Sequence, residues 1–206
     1  NSSIGIVGKT GCGKSTLIKI LAGLLTPTSG KVLVNDKDVK ENIQGWYSNI
    51  SYIPQSIHLT DDSIKKNIAL GEYENEIDNN KLLKSIQLSG LEKFIKNLPQ
   101  GMETFVGANG LKLSGGQVQR IGIARAIYLN PNVFILDEAT SSLDQKTESE
   151  ILSDFNRLKD NKILIMISHR LVSLKNCDKV YYIFDGQIKD SGKIDELIER
   201  NPNLIK

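Results

Sequence analysis

Gly8-Lys9-Thr10-Gly11-Cys12-Gly13-Lys14-Ser15-Thr16 (GKTGCGKST) puts three glycines and two lysines into nine residues. Gly8, Gly13, Lys14 and Ser15 supply the spacing G-x-x-x-x-G-K-[ST]. Ser3 to Val7, ahead of it, is short and largely apolar, as a buried strand is; Thr16 to Ala22, behind it, has the pattern of a helix. Strand, glycine loop and helix in that order form the context of a phosphate-binding loop. Glycines let several backbone N–H groups converge on one anion, and the positive end of the following helix points at the same place. In such a loop Lys14 reaches the β- and γ-phosphates and the Ser15 hydroxyl is placed to ligate Mg2+.

The rest of the chain sets the frame for that loop. At 206 residues it suits one domain, or a core with one inserted subdomain. It is 39% hydrophobic and 24% charged with a net charge of +2, enough apolar material for a real core. Its lysines are scattered without a block of like charge, which argues against a nucleic-acid arm or a polybasic anchor. Cys12 and Cys177 are the only cysteines. A disulfide at Cys12 would distort the loop, so the pair predicts a reducing compartment. The longest apolar runs, such as Ile163 to Ile167, have strand length and fall far short of the roughly 20 residues that span a bilayer. With no starting Met and its first residue, Asn1, already in a central strand, the chain reads as a fragment with its front removed.

Along the chain, Thr26 to Gly30 is a turn, Lys31 to Asn35 alternates like a strand, and Ile50 to Ile53 is a strand ended by Pro54. From about Ser63 to Leu98 the period becomes helical, carried by Ile64, Ile68, Leu82, Leu83 and Ile86. Ser114 opens a helix that runs to Leu129, before Pro131. Val133 to Leu136 is the continuous apolar run of a central parallel strand. A helix over 148–158, a strand over 162–167 and a short helix over 170–175 follow. Val180–Phe184 and Gln187–Lys189 make an edge hairpin on Asp185-Gly186, and 194–200 closes as a helix. Strands alternating with helices predict a mostly parallel α/β sheet.

Phosphate loops serve kinases, GTPases, helicases and transport ATPases alike, so two further motifs decide the class. Asp137 and Glu138 end the apolar strand, in the crevice where such sheets bind ligands. There Asp137 would hold Mg2+ and Glu138 would orient and deprotonate a water. Leu113-Ser114-Gly115-Gly116-Gln117, followed by Val118-Gln119-Arg120, is the third motif. Its Ser114 caps a helix whose N–H groups favour a phosphate, and its glycines allow close backbone approach.

With these motifs the chain resembles the nucleotide-binding domain of ATP-binding cassette (ABC) transporters over residues 3 to about 198. The resemblance implies a P-loop NTPase core over 1–60 and 130–206 and an inserted helical subdomain over about 61–129 that carries the signature helix. The family's antiparallel subdomain, with its adenine-stacking aromatic, would lie largely ahead of residue 1. ATP and Mg2+ are the implied cofactors. Gln55 matches the glutamine that touches Mg2+ and the attacking water, Asp144 in Ser141-Ser142-Leu143-Asp144 the loop that crosses a dimer, and His169 the switch histidine at the γ-phosphate. His58 matches nothing and reads as a loop residue. The signature Ser114, Gly115, Gly116 and Gln117 is expected to face the phosphate loop (Gly8 to Thr16) of a second such domain, in a head-to-tail dimer around two Mg-ATP.

Trp46, Tyr52 to Gln55, Ile64 to Gly71, and Pro99 to Gly107 followed by Asn109-Gly110 look like the exporter type. Two departures are Ala108, where exporters commonly carry Glu, and Cys12, where Ser is commoner. The implied setting is the cytoplasmic face of a cell membrane, behind an N-terminal transmembrane domain in the same polypeptide, with no nucleic acid. A soluble cassette ATPase acting on ribosomes or DNA, and a separate importer subunit, are the alternatives.

Overall fold

The computed structural model describes residues 2–108, 110–140, 142–157 and 162–204. The expectations that fall on Asn1, Asn109, Ser141 and Leu158 lie outside the described residues. In chain order the strands are β1 Ser2–Val7, β2 Leu33–Val34, β3 Lys37–Asp38, β4 Ile50–Ile53, β5 Asp62–Ser63, β6 Phe105–Val106, β7 Val133–Asp137, β8 Ile163–Ile167, β9 Lys179–Phe184 and β10 Gln187–Gly192. The helices are α1 Lys14–Leu21, α2 Ile43–Tyr47, α3 Ile64–Ile68, α4 Asn79–Leu88, α5 Glu92–Lys96, α6 Gly115–Tyr128, α7 Gln145–Arg157 and α8 Ile194–Arg200. None is long and apolar enough to cross a membrane, among the described residues.

The chain divides into two compact units, one of 1–52, 131–138 and 157–206, the other of 53–130 and 139–156. The first holds a six-stranded sheet in the order β10-β9-β1-β8-β7-β4. β9, β1, β8 and β7 run parallel and β10 turns back antiparallel at the edge. All five residues of β7 are buried, as a continuous apolar run in mid-sheet requires. Asp185 and Gly186, at φ 50 and 73, make the left-handed turn that Asp-Gly favours in a hairpin. Ile6, Ile18, Ala22, Val133, Ile135, Ile167 and Ile183 form the core of this unit. Burying each such aliphatic side chain contributes about 1.5–3 kcal/mol.

The strand expected over 31–35 shrinks to Leu33–Val34, both exposed. It pairs with β3, across Asn35 and Asp36, whose φ of 50 and 64 turn the chain at once. Helix α2, which periodicity does not show, is a single short turn capped by the Asn42 side chain on Gly45 N–H at 2.9 Å. The indole of Trp46 then donates to Leu21 O at 3.0 Å and closes the end of α1.

In the second unit the expected helical block is three short helices, α3 to α5, bracketed in the chain by the paired strands β5 and β6. Its core gathers Ile64, Ile68, Leu82, Ile86, Leu91, Ile95, Val106, Ile121 and Tyr128. Leu83, counted with the apolar period, is 54% exposed, because Leu82 and Ile86 already occupy the inward face. Residues 139–156 group with this helical unit. Ser142 N–H donates to Gln119 of α6, and Arg120 of α6 donates to the Thr147 hydroxyl, which attaches them there.

Candidate functional site

Register assembles one cluster in the first unit. Ile6 of β1 and Asp137 of β7 both stand opposite Ile167 of β8. The phosphate loop, the acidic pair and His169 therefore leave the sheet side by side, at the carboxyl ends of three adjacent strands. Ligands bind at that end of such sheets.

The loop turns tightly. A Cβ on Gly8 would lie 2.3 Å from Ile183 O and 2.7 Å from Cys12 Sγ, so only glycine fits. Gly13, at φ 101, is the N-cap of α1 and supplies no side-chain cap, and no acidic residue occupies the first turn. The leading N–H groups thus lack a partner from that end and carry the positive end of the helix dipole. Lys9, Thr10, Gly11, Ser15 and Thr16 are exposed and Cys12 is half-buried. Lys14 is only 5% exposed. Its Nζ donates to Gly8 O at 2.8 Å and Lys9 O at 2.9 Å. An ammonium has three donors, and among the described residues no carboxylate pairs with this one. A buried cation without a counter-charge calls for an anion, so the loop fits the phosphates of ATP.

Asp137 is 5% exposed. It accepts from Ser15 Oγ at 3.2 Å and from the Tyr52 hydroxyl at 3.0 Å. Burial first, then the charge and hydrogen bond of Asp137, push the Tyr52 phenol well above its ordinary pKa, so it stays a donor. Hard oxygen donors on one carboxylate and one hydroxyl suit Mg2+, which takes its remaining ligands from water and substrate phosphates. Tyr52 was legible as part of a strand and of the exporter-like stretch ending at Gln55; nothing local to it announces a partner 85 residues away.

Glu138 has φ 53, an uncommon conformation for a side-chain-bearing residue, and its N–H donates to Ile167 O at 3.2 Å. Strained positions of this kind cluster at working sites. His169 Nε2 lies 2.7 Å from Glu138 Oε1; the imidazole is half exposed and the carboxylate mostly buried. Two cavities of this unit, about 510 and 450 Å³, lie away from the cluster, around β2, β3 and α2.

The second unit carries the other expected residues. Ser114 caps α6: its hydroxyl accepts from Gln117 N–H at 3.3 Å while the Gln117 side chain accepts from Ser114 N–H at 2.8 Å. A Cβ on Gly115 or Gly116 would meet nothing nearer than 3.6 Å, ordinary contact. Nothing among the described residues demands glycine there, although each costs a helix about 1 kcal/mol against alanine. Asp144 precedes α7 and accepts from Thr147 N–H at 3.0 Å. The amide and then the hydroxyl of Thr147 hold its carboxyl below the usual range. Gln55 is exposed, two residues beyond β4.

Comparison with known proteins fits this arrangement. The chain is 39% identical over 204 residues to "ABC transporter ATM1" of Toxoplasma gondii, covering 98% of this chain and 18% of that one. It is 37% identical to "ATP-dependent lipid A-core flippase" of Francisella novicida, covering 96% of this chain and 33% of the relative. Among solved structures, that of a bacterial Atm1-family ABC exporter with ATP bound matches 97% of this chain and 35% of its own, with a TM-score of 0.90 at 33% identity. The chain thus spans about a third or less of the length of these proteins. The family described as ABC transporter matches residues 1–141, and the chain belongs to it.

Proposed function

We propose that this chain is the ATP-binding and ATP-hydrolysing motor of an ABC exporter. It would work at the cytoplasmic face of a membrane, joined to a transmembrane domain in the same polypeptide and paired head to tail with a second copy or a close relative. The observation that carries the reading is the cluster at the ends of β1, β7 and β8, where a buried unneutralised ammonium, a hydroxyl-held carboxylate and a carboxylate–imidazole pair meet one loop.

Each group has a separable task. Lys14 and the N–H groups from Gly8 to Thr16 bind and neutralise the terminal phosphates. Preorganised donors aimed at developing charge are commonly the largest single contribution to such catalysis. Ser15 and Asp137 would hold Mg2+; the bound cation supplies charge neutralisation at the phosphates. Glu138 takes the proton of the attacking water, and His169, hydrogen-bonded to it, fixes its orientation. Ser114, Gly115, Gly116, Gln117 and Asp144 would face the nucleotide held by the partner cassette. Glycines that no contact among the described residues requires support that role, since a bare helix end lets an outside group approach its backbone.

Glu138→Gln tests the reading. A positioned base contributes about 10² to 10⁴ in rate, so turnover should fall by that factor while ATP binding persists and an ATP-bound dimer accumulates. Turnover at the wild-type rate would overturn the assignment.

A further inference from the structure

Two residues of the signature helix have no task so far, and both reach the segment that carries Asp144. Gln119 is 5% exposed, and its Oε1 accepts from Ser142 N–H at 3.1 Å. Arg120 donates through Nη2 to Thr147 Oγ1 at 2.9 Å and through Nη1 to Gly90 O, past the end of α4, at 2.7 Å. Thr147, 8% exposed, gives its N–H to Asp144 Oδ1 and hydrogen-bonds the same carboxylate through its hydroxyl. The two ends of the stretch from Ser142 to Thr147 are therefore tied to one helix. A Cβ on Gly116, at the start of that helix, would lie 3.6 Å from the Leu143 side chain between them, an ordinary contact distance. A planar guanidinium can serve two acceptors in a fixed fork, which a lysine ammonium on a flexible stem does not reproduce.

We infer that Gln119 and Arg120 are positioning residues, which hold Asp144 in register with Ser114 so that the signature and the Asp144 loop meet the partner cassette as one surface. The inference rests on the proposed head-to-tail function. Neither residue belongs to the phosphate loop, so ATP binding to a single chain is independent of both. The relay from Arg120 through Thr147 to Asp144 acts only on the assembled site.

The test uses the longest natural polypeptide that carries this chain, with kcat, KM and the affinity for a fluorescent ATP analogue measured on folded protein. Arg120→Met and Thr147→Val should each lower kcat about tenfold, or about 1.4 kcal/mol at the transition state, with ATP affinity unchanged. The double variant should fall no further than the worse single one, since both break the same chain of contacts. Arg120→Lys should not rescue. Gly90→Ala, whose Cβ would sit 2.8 Å from Arg120 Nη1, should lower kcat while removing no polar group. Wild-type kcat in folded Arg120→Met, additive losses in the double variant, or a parallel loss of ATP affinity would each overturn the relay. Glu138→Gln in the same preparation separates the two levels. Active Glu138→Gln refutes the proposed function itself, whereas dead Glu138→Gln beside normal Arg120→Met refutes only the relay.

Discussion

Tyr52→Phe removes one oxygen and leaves a ring of the same shape against the sheet core, so its cost isolates a single hydrogen bond. That bond runs from the phenol to Asp137 Oδ2 at 3.0 Å, and Asp137 is 5% exposed. Hydrogen bonds to charged groups contribute about 1.5–3 kcal/mol, and a buried acceptor left unpaired adds its desolvation. Ser15 still donates to the other oxygen, so the expected loss is about 2 kcal/mol. For a chain of this size that lowers Tm by roughly 4–8 °C. Tyr47→Phe is the matched control, because its hydroxyl donates to the neutral, exposed Gly23 O at 2.9 Å; it should cost about 1 kcal/mol or less. The second assay is the Mg2+ concentration that half-activates ATP turnover. Loss of a group that orients a metal ligand typically weakens the metal by about 10–100-fold, and the half-activating concentration should rise accordingly. If Tyr52→Phe melts no lower than Tyr47→Phe and keeps its Mg2+ requirement, Tyr52 does not hold a charged carboxylate and the reasoning fails.

Two further predictions concern the loop and its surroundings. Gly8→Ala must push the loop away from Ile183 O, costing about 1–3 kcal/mol as overpacking does, and should weaken ATP binding far more than Gly11→Ala, where a Cβ meets nothing within 4 Å; equal affinities in the two variants would refute it. Of the six tyrosines, Tyr52 and Tyr128 are both raised first by burial and then by a carboxylate partner, Asp137 and Glu72 respectively. A raised folded value keeps the phenol protonated, so this stabilisation is complete below the ordinary tyrosine pKa of about 10 and is lost as pH climbs through the folded value. Tyrosinate absorbance should therefore show a lagging phase above pH of about 10, halved by Tyr52→Phe; a single uniform titration would contradict it.

What the sequence determined by itself is local. Gly13-Lys14-Ser15 after a short apolar strand specifies the phosphate loop, because glycine freedom and a helix start are properties of consecutive residues. The capping box of Ser114 with Gln117, the left-handed turn at Asp185-Gly186 and the buried run of β7 belong to the same class, since each depends on neighbours one to four positions away. Motif order along the chain was enough to reach the family. The extent of β2 was not legible: a strand ends where its partner ends, and β3 offers only Lys37 and Asp38.

Only the tertiary structure decided which side chains meet. Ser15 reaches Asp137 across 122 residues because two strands are set level by a third between them. Tyr52 joins the same carboxylate, and His169 lies beside Glu138, for reasons of sheet order and register that no short window contains. Arg120 likewise meets Thr147 only once α6 has folded against the segment that follows Ala139. Local chemistry is written in spacing. The pairs that tune it depend on strand order and helix packing, which are settled by burial of the whole apolar surface at once.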